Sequence, residues 1–274
     1  MYDVIGQEPV IKQINSMNNL PQFIILLGPH GSGRTLLSKY IADDRNMNYI
    51  EIDNKIADIR FLIDNTVGLT KPTMYFIKNA DELTLQAANA MLKIAEEPPQ
   101  NLYIVMGLVS LQNTISTIVS RATVLQLEPY TVNQLQEFYN KLGTKIQYED
   151  EMFNCLSTPG EIKTYINIFD NCYEYVQLVH TNILKVRTGN AFKISNKIDF
   201  KEVDGGITPK LFLSVFLEYI RRRIHNPTVN EVGIVDIYRN MIYYTNQALI
   251  HLNKKGANKK MIFDIWVLNI RTLR

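Results

Sequence analysis

The stretch Gly28-Pro29-His30-Gly31-Ser32-Gly33-Arg34-Thr35 constrains this chain more than any other, because it sits between the apolar run Phe23-Ile24-Ile25-Leu26-Leu27 and an amphipathic segment from Leu36 to Ala42. A buried strand, a glycine-rich turn and a helix start in that order make a phosphate cradle: backbone N–H groups point into the loop and the helix N-terminus adds partial positive charge. The spacing is that of the P-loop pattern GxxxxGK[ST], with Arg34 in the lysine position. Arginine keeps the positive charge but is larger and planar, so it does not replace the compact ammonium neutrally. Nucleotide binding and nucleotide hydrolysis are therefore separate questions for this chain.

The pattern around the loop predicts an α/β unit. Short apolar runs at Phe23–Leu27, Tyr49–Ile52, Met74–Ile77, Tyr103–Met106 and Thr123–Leu127 alternate with helical periodicity at Val10–Ile14, Leu36–Ala42, Ile56–Val67, Thr84–Ala95 and Ile115–Ser120. Strands apolar on both faces and separated by helices predict a five-stranded parallel sheet covered on both sides. From Thr131 the strand signal fades into helices at 131–142, 148–155, 160–169 and 172–186. Residues 187–206, polar and broken by Gly189, Gly205 and Gly206, form a candidate linker before helices at 209–224, 232–252 and 258–273. The expected domains are 1–128, 129–184 and 185–274.

Composition excludes little. With 46% hydrophobic and 20% charged residues among 274, the chain has enough apolar material for a core, and a net charge of +2 neither demands nor forbids nucleic acid. No apolar run approaches the roughly 20 residues that span a bilayer, so no membrane partner is expected. Cys155 and Cys172 lack metal spacing and follow no secretory signal, which fits reduced, buried thiols in a cytoplasmic protein.

An active P-loop ATPase needs a lysine on the β/γ-phosphates, a hydroxyl on Mg²⁺, and acidic residues at the end of a nearby strand. Thr35 supplies the hydroxyl and Arg34 replaces the lysine. After the strand Met74–Ile77 the acidic positions hold Lys78 and Asn79, neither of which organises Mg²⁺ or serves as a base for water. Lys78 reads as a solvent-facing lysine or as a cation in the metal's place. Asp81 and Glu82 follow closely; they read as acidic residues at a helix start, favoured by the macrodipole, or as substitutes for the missing pair. Arg121 reads, from the residues alone, as a cation completing a helix C-terminus.

The spacing of six motifs resembles the sliding-clamp loader subunits of the AAA+ class. They are Asp3-Val4-Ile5-Gly6-Gln7, the loop Gly28–Thr35, Ala80-Asp81-Glu82-Leu83-Thr84, the helix Ala87–Lys93, Glu96-Glu97-Pro98-Pro99, and Ser120-Arg121. The resemblance is nearest to the delta-prime type of bacterial DNA polymerase III, in which the second acidic motif is commonly degenerate. It is strong to Leu127 and looser beyond, where Pro159–Lys163 is similar to the lid helix that carries a second sensor and 247–271 to the helices of an oligomerisation collar.

What the resemblance implies is specific. Arg121 becomes an arginine finger offered in trans to the γ-phosphate held by a neighbouring subunit. The nucleotide-binding set becomes Val4, Ile5, Gly28, Pro29, Gly31, Ser32, Gly33, Arg34, Thr35, Leu36 and Lys163, with ATP or ADP and Mg²⁺ as ligands, and Ser110 stands near the first sensor. Lys163 has a second reading as a solvated helix lysine. The implied partners are other AAA+ subunits in a hetero-oligomeric ring, a sliding clamp and primer-template DNA. Basic residues at 221–223, 254–255 and 259–260 read as solvated faces or collar contacts, so no DNA-binding residue is assigned. Cellular members carry a four-cysteine zinc module after the P-loop; residues 45–71 contain no cysteine, so no zinc and no other metal ligand set is expected. The shorter chain fits a reduced form of viral or mobile-element origin. Two other functions stay open: an active AAA+ ATPase, such as a helicase loader or branch-migration motor, and a scaffold with an empty P-loop.

Overall fold

Five runs that are apolar on both sides pair edge to edge, since only a sheet covered on two faces buries them completely. In the computed structural model they are β1 (Phe23–Leu27), β2 (Asn48–Ile52), β3 (Thr73–Ile77), β4 (Leu102–Leu108) and β5 (Thr123–Gln126), all parallel in the order β2-β3-β4-β1-β5. The structure describes residues 4–66, 68–183, 185, 192–202, 205–225, 235–254 and 256–273. They fall into two compact units: 1–138 with 158–160, and 139–157 with 161–274.

In the first unit, helices α1 (Glu8–Asn15) and α2 (Arg34–Asp44) cover one face, where Val10, Ile14, Leu37 and Ile41 pack with Ile24 and Leu26. On the other face α3 (Ile56–Asp64), α4 (Leu85–Glu96) and α5 (Ser116–Val119) bury Ile59, Met91 and Ile118 against Phe23 and Ile25. Alternate residues of β1 thus serve opposite cores, as the two-residue period of a strand requires. Each fully buried Ile or Leu contributes roughly 1.5–3 kcal/mol relative to exposure. From β1 the chain crosses to the edge strand β2, works back through β3 and β4, then steps over β1 to β5, so the change of direction falls at β1. In open α/β sheets that point, at the carboxyl ends of the strands, is where ligands bind.

The helices keep close to their expected bounds. α3 ends at Asp64, earlier than the periodicity predicts, where the Asn65 side chain donates to Phe61 O at 2.8 Å; Val67 lies outside the described residues. α4 is capped by Thr84, whose hydroxyl accepts from Ala87 N at 3.2 Å, and stops at Glu96 ahead of Pro98-Pro99.

The chain passes into the second unit within α6 (Val132–Leu142), which α7 (Glu149–Cys155), α8 (Pro159–Tyr165), α9 (Phe169–Ile183), α10 (Pro209–His225), α11 (Val235–Leu252) and α12 (Lys259–Arg271) follow. α8 stops at Tyr165 and α9 starts at Phe169, three residues before the expected start; Val186, the expected end, lies outside the described residues. The start expected at Val232 lies outside them too. Phe212, Phe216, Phe263 and Trp266 form an aromatic cluster with centroids 5.0–6.2 Å apart. Trp266 Nε1 donates to Thr245 Oγ1 at 3.0 Å, so its one polar atom is satisfied. Of the candidate linker, 187–191 and 203–204 lie outside the described residues, while Phe192–Lys197 forms a 3₁₀ helix and Ile198 bridges Ile207 in parallel. Cys172 is buried, and burial pushes both thiols well above their ordinary range. Among the described residues no helix is long and apolar enough to cross a membrane.

Candidate nucleotide-binding site

β1 carries the chain to the sheet's carboxyl edge, where Gly28 N continues the ladder onto Leu108 O at 3.0 Å. Gly28 is required by space: a Cβ there would stand 2.8 Å from Ser32 Oγ and 3.0 Å from Leu127 Cβ. Gly33 is required by conformation, since with φ +91° it caps α2 in the left-handed region. α2 therefore opens on Arg34, a cation in the first turn, where the macrodipole favours anions.

Arg34 is turned inward and only 8% exposed. Its Nη2 lies 3.2 Å from His30 Nδ1, while Nη1 is buried without a hydrogen-bond partner. Burial draws the guanidinium below its ordinary range, and the charge of Asp81 opposes that shift. Ser32 is buried as well, and its Oγ has no partner. Unpaired buried polar atoms cost free energy, so a cation and a hydroxyl here stand ready for an anionic oxygen.

The loop is tied down from three directions. Tyr130 Oη donates to Ser32 O at 2.9 Å. Gly6 packs against the Tyr130 ring, leaving no room for a Cβ, and the Gln7 amide exchanges two bonds with the Glu128 backbone at 3.0 and 2.9 Å. Val4 and Ile5, just before this anchored segment, are half-buried. From much later in the chain, Thr158 Oγ1 donates to His30 O and Gly160 N to Gly31 O, both at 3.0 Å. Pro29 and Gly31 are exposed at the rim; Thr35 and Leu36 are half-buried in the first turn of α2. Lys163 is exposed on α8, in the second unit.

The metal side is built from different chemistry. Lys78, at the end of β3, forms an ion pair with Glu51 on β2, and Lys39 joins at 3.7 Å with Tyr49 Oη donating at 3.3 Å. Burial pushes the Glu51 carboxyl up, but the Lys78 hydrogen bond and charge, with Lys39 and Tyr49, bring it net below its usual range. Lys78 is thus partly solvent-facing, as one reading expects, and engaged by a carboxylate that neither reading named. Asn79 turns the chain at φ +45°, and Asp81 and Glu82 lie in the 3₁₀ turn Ala80–Glu82. That corrects their expected place at a helix start: Leu83 is extended and Thr84 caps α4. Glu82 is exposed and accepts from Asn54 Nδ2 at 3.3 Å, whereas Asp81 faces Arg34 electrostatically. Ser110 Oγ accepts from Gln112 N at 3.2 Å and so caps the next turn. No group of three potential ligand side chains that could hold a metal occurs among the described residues.

Arg121 stands one residue beyond the C-cap of α5, with a third of its side chain exposed. Nη1 donates to Thr117 O at 2.7 Å and Nη2 to Glu96 Oε1 at 2.6 Å. The helix-completing role read from the residues is therefore present, beside a second partner that local reading missed. The long-range partners Glu51, Thr158 and Gly160 have no local signal in the sequence, and Asp81, a candidate for the missing acidic pair, meets Arg34 instead.

The family model described as DNA polymerase III, delta subunit, matches residues 41–131, the part of the sheet that follows the loop. Over that stretch the chain is similar to DNA polymerase III subunits, and its all-parallel sheet with the P-loop after β1 is consistent with that similarity. The chain is similar to DNA polymerase III subunit gamma of Buchnera aphidicola subsp. Schizaphis graminum, 24% identical over 71% of this chain and 63% of the relative. DNA polymerase III subunit tau/gamma of Haemophilus influenzae is 26% identical over 61% of this chain and 30% of the relative. Across three Buchnera aphidicola gamma subunits the chain spans 63%, 53% and 57% of their length, less than two thirds of each. Among solved structures, the RuvB Holliday junction branch migration motor of Thermotoga maritima aligns over 86% of this chain and 78% of its own at 19% identity, TM-score 0.48.

Proposed function

We propose that this chain is a delta-prime-like clamp-loader subunit of DNA replication that does not hydrolyse ATP itself. It works in the cytoplasm, in a bacterial or virus-encoded machinery, within a hetero-oligomeric ring of AAA+ subunits that places a sliding clamp on primer-template DNA. The division of its helical part into a lid at 129–184 and a collar at 185–274 belongs to the same reading. Exposed Tyr243, Ile250, Met261 and Ile265 on α11 and α12 support the collar, because apolar surface of that kind is a common docking feature.

The residues of the loop fit a bound nucleotide. Ser32 Oγ and Arg34 Nη1, buried and without acceptors, would both be satisfied by phosphate oxygens, and the start of α2 adds its N–H groups. The donor set does not fit a catalytic Mg²⁺: Thr35 remains, but the strand end that should organise the ion offers Lys78 bound to Glu51. That ion pair is the observation that carries the reading. Arg121 then acts on a neighbour's nucleotide, where a guanidinium offsets charge developing on the transferred phosphoryl group.

The test is to assay the chain alone and assembled with a complete AAA+ partner. Alone it should show no Mg²⁺-dependent turnover. In the assembly, Arg121→Ala should abolish the DNA-stimulated rate, and an unchanged rate would overturn the finger. A second reading, an active ATPase, is supported by Asp81 beside Arg34. Turnover by the chain alone that Asp81→Asn removes would establish it. Absence of ATP or ADP binding at millimolar concentration would leave the scaffold.

A further inference from the structure

The motif Glu96-Glu97-Pro98-Pro99 has a structural consequence that the proposed function does not use. α4 runs to Glu96 and no further, so its last carboxylate is delivered where α4 and α5 pack on a common core. There Glu96 Oε1 takes Nη2 of Arg121 at 2.6 Å while Thr117 O takes Nη1 at 2.7 Å. Each bond uses one N–H of a different terminal nitrogen. Three N–H groups of the guanidinium, the second proton on each terminal nitrogen and the one on Nε, stay available in the same plane.

We propose that Glu96 is a positioning residue for Arg121, holding its guanidinium in a fixed place at the surface before any phosphate arrives. The inference rests on the reading of Arg121 as a finger. A long surface side chain otherwise samples many rotamers, and ordering it at the moment of reaction raises the barrier. Two acceptors of different origin, a side chain on one helix and a backbone carbonyl on the other, order it beforehand. Glu97, the next residue, is also exposed and carries the same charge, so it serves as the control.

The experiment measures DNA-stimulated ATPase of the chain assembled with a complete AAA+ partner subunit. Glu96→Ala should lower kcat about fivefold, equivalent to about 1 kcal/mol of barrier, with the KM for ATP within about twofold because positioning acts on the transition state. Glu96→Gln, which keeps the acceptor oxygen, should recover most of that loss, and Glu97→Ala should match wild type. In an Arg121→Ala background, Glu96→Ala should add nothing, since coupled residues act as one. If Glu96→Ala matches wild type while Arg121→Ala collapses the rate, the finger stands and this inference falls. A Glu96→Ala loss that persists without Arg121 marks structural damage and also overturns it. Full activity of Arg121→Ala removes the finger itself and this inference with it.

Discussion

Arg34 is 8% exposed and has one terminal nitrogen without an acceptor, whereas Arg121 keeps a third of its side chain in solvent and has both terminal nitrogens bonded. The same guanidinium thus sits in two opposite electrostatic settings within one unit. Around Arg34 burial leaves an unmet demand for negative charge, moderated by Asp81 and His30. Around Arg121 every bond is to a group that water or phosphate oxygens replace at small cost, because an exposed ion pair contributes about 0–1 kcal/mol. The first arginine is suited to retaining a ligand, the second to exchanging one.

The contrast is open to experiment, and the largest effect belongs to the surface site. Arg121→Ala should cut the assembled complex's ATPase by about 10³-fold or more, with nucleotide binding by this chain unchanged in a titration. Arg34→Met should do the reverse. ADP at about 100 times its Kd should stabilise wild type by about 2.7 kcal/mol, read as a rise in Tm, and the variant should lose most of that rise. Equal rises in both would mean that the buried arginine does not meet the phosphates.

Next in size is the packing that holds the loop around Arg34. A Cβ on Gly160 would stand 2.3 Å from Gly31 Cα, a backbone atom that cannot step aside. Gly160→Ala should therefore cost about 1–3 kcal/mol, lowering Tm by several degrees, and a Tm equal to wild type would show the loop to be looser than its hydrogen bonds suggest. The smallest effect concerns the Lys78–Glu51 pair. Because the Glu51 carboxyl is held net below its usual range, its contribution is present above the ordinary carboxylate range and lost as pH falls through the lower folded value. Lys78 is 42% exposed, so the amount is well under about 1 kcal/mol. Acid unfolding curves of wild type and Glu51→Gln should converge at low pH and separate slightly above it.

Local chemistry made the frame legible. Phe23–Leu27 is apolar at every position, so its place as a central strand and the glycine-rich turn after it follow from the residues themselves. Lys78 and Asn79 were recognisable as departures for the same reason, since a strand end that should hold acids holds none. Partners from distant parts of the chain were not legible. Nothing near Lys78 announces Glu51, which β2 brings alongside through its register with β3, Ile52 opposite Ile77. Nothing near Arg121 selects Glu96 over Glu97; the last turn of α4 makes that choice. Acidic residues ahead of an apolar periodic segment usually belong to a helix start, and Leu83 breaks that expectation for Asp81 and Glu82 with one extended residue.

The paired bonds between Gln7 and Glu128 also bear on how the first unit assembles. They close a ring of chain 121 residues around, and such long-range closure is entropically expensive until the elements between are already in place. We therefore expect the clasp to close after the strands between, and the Glu128 amide to exchange with solvent deuterium before those of β1 and β4.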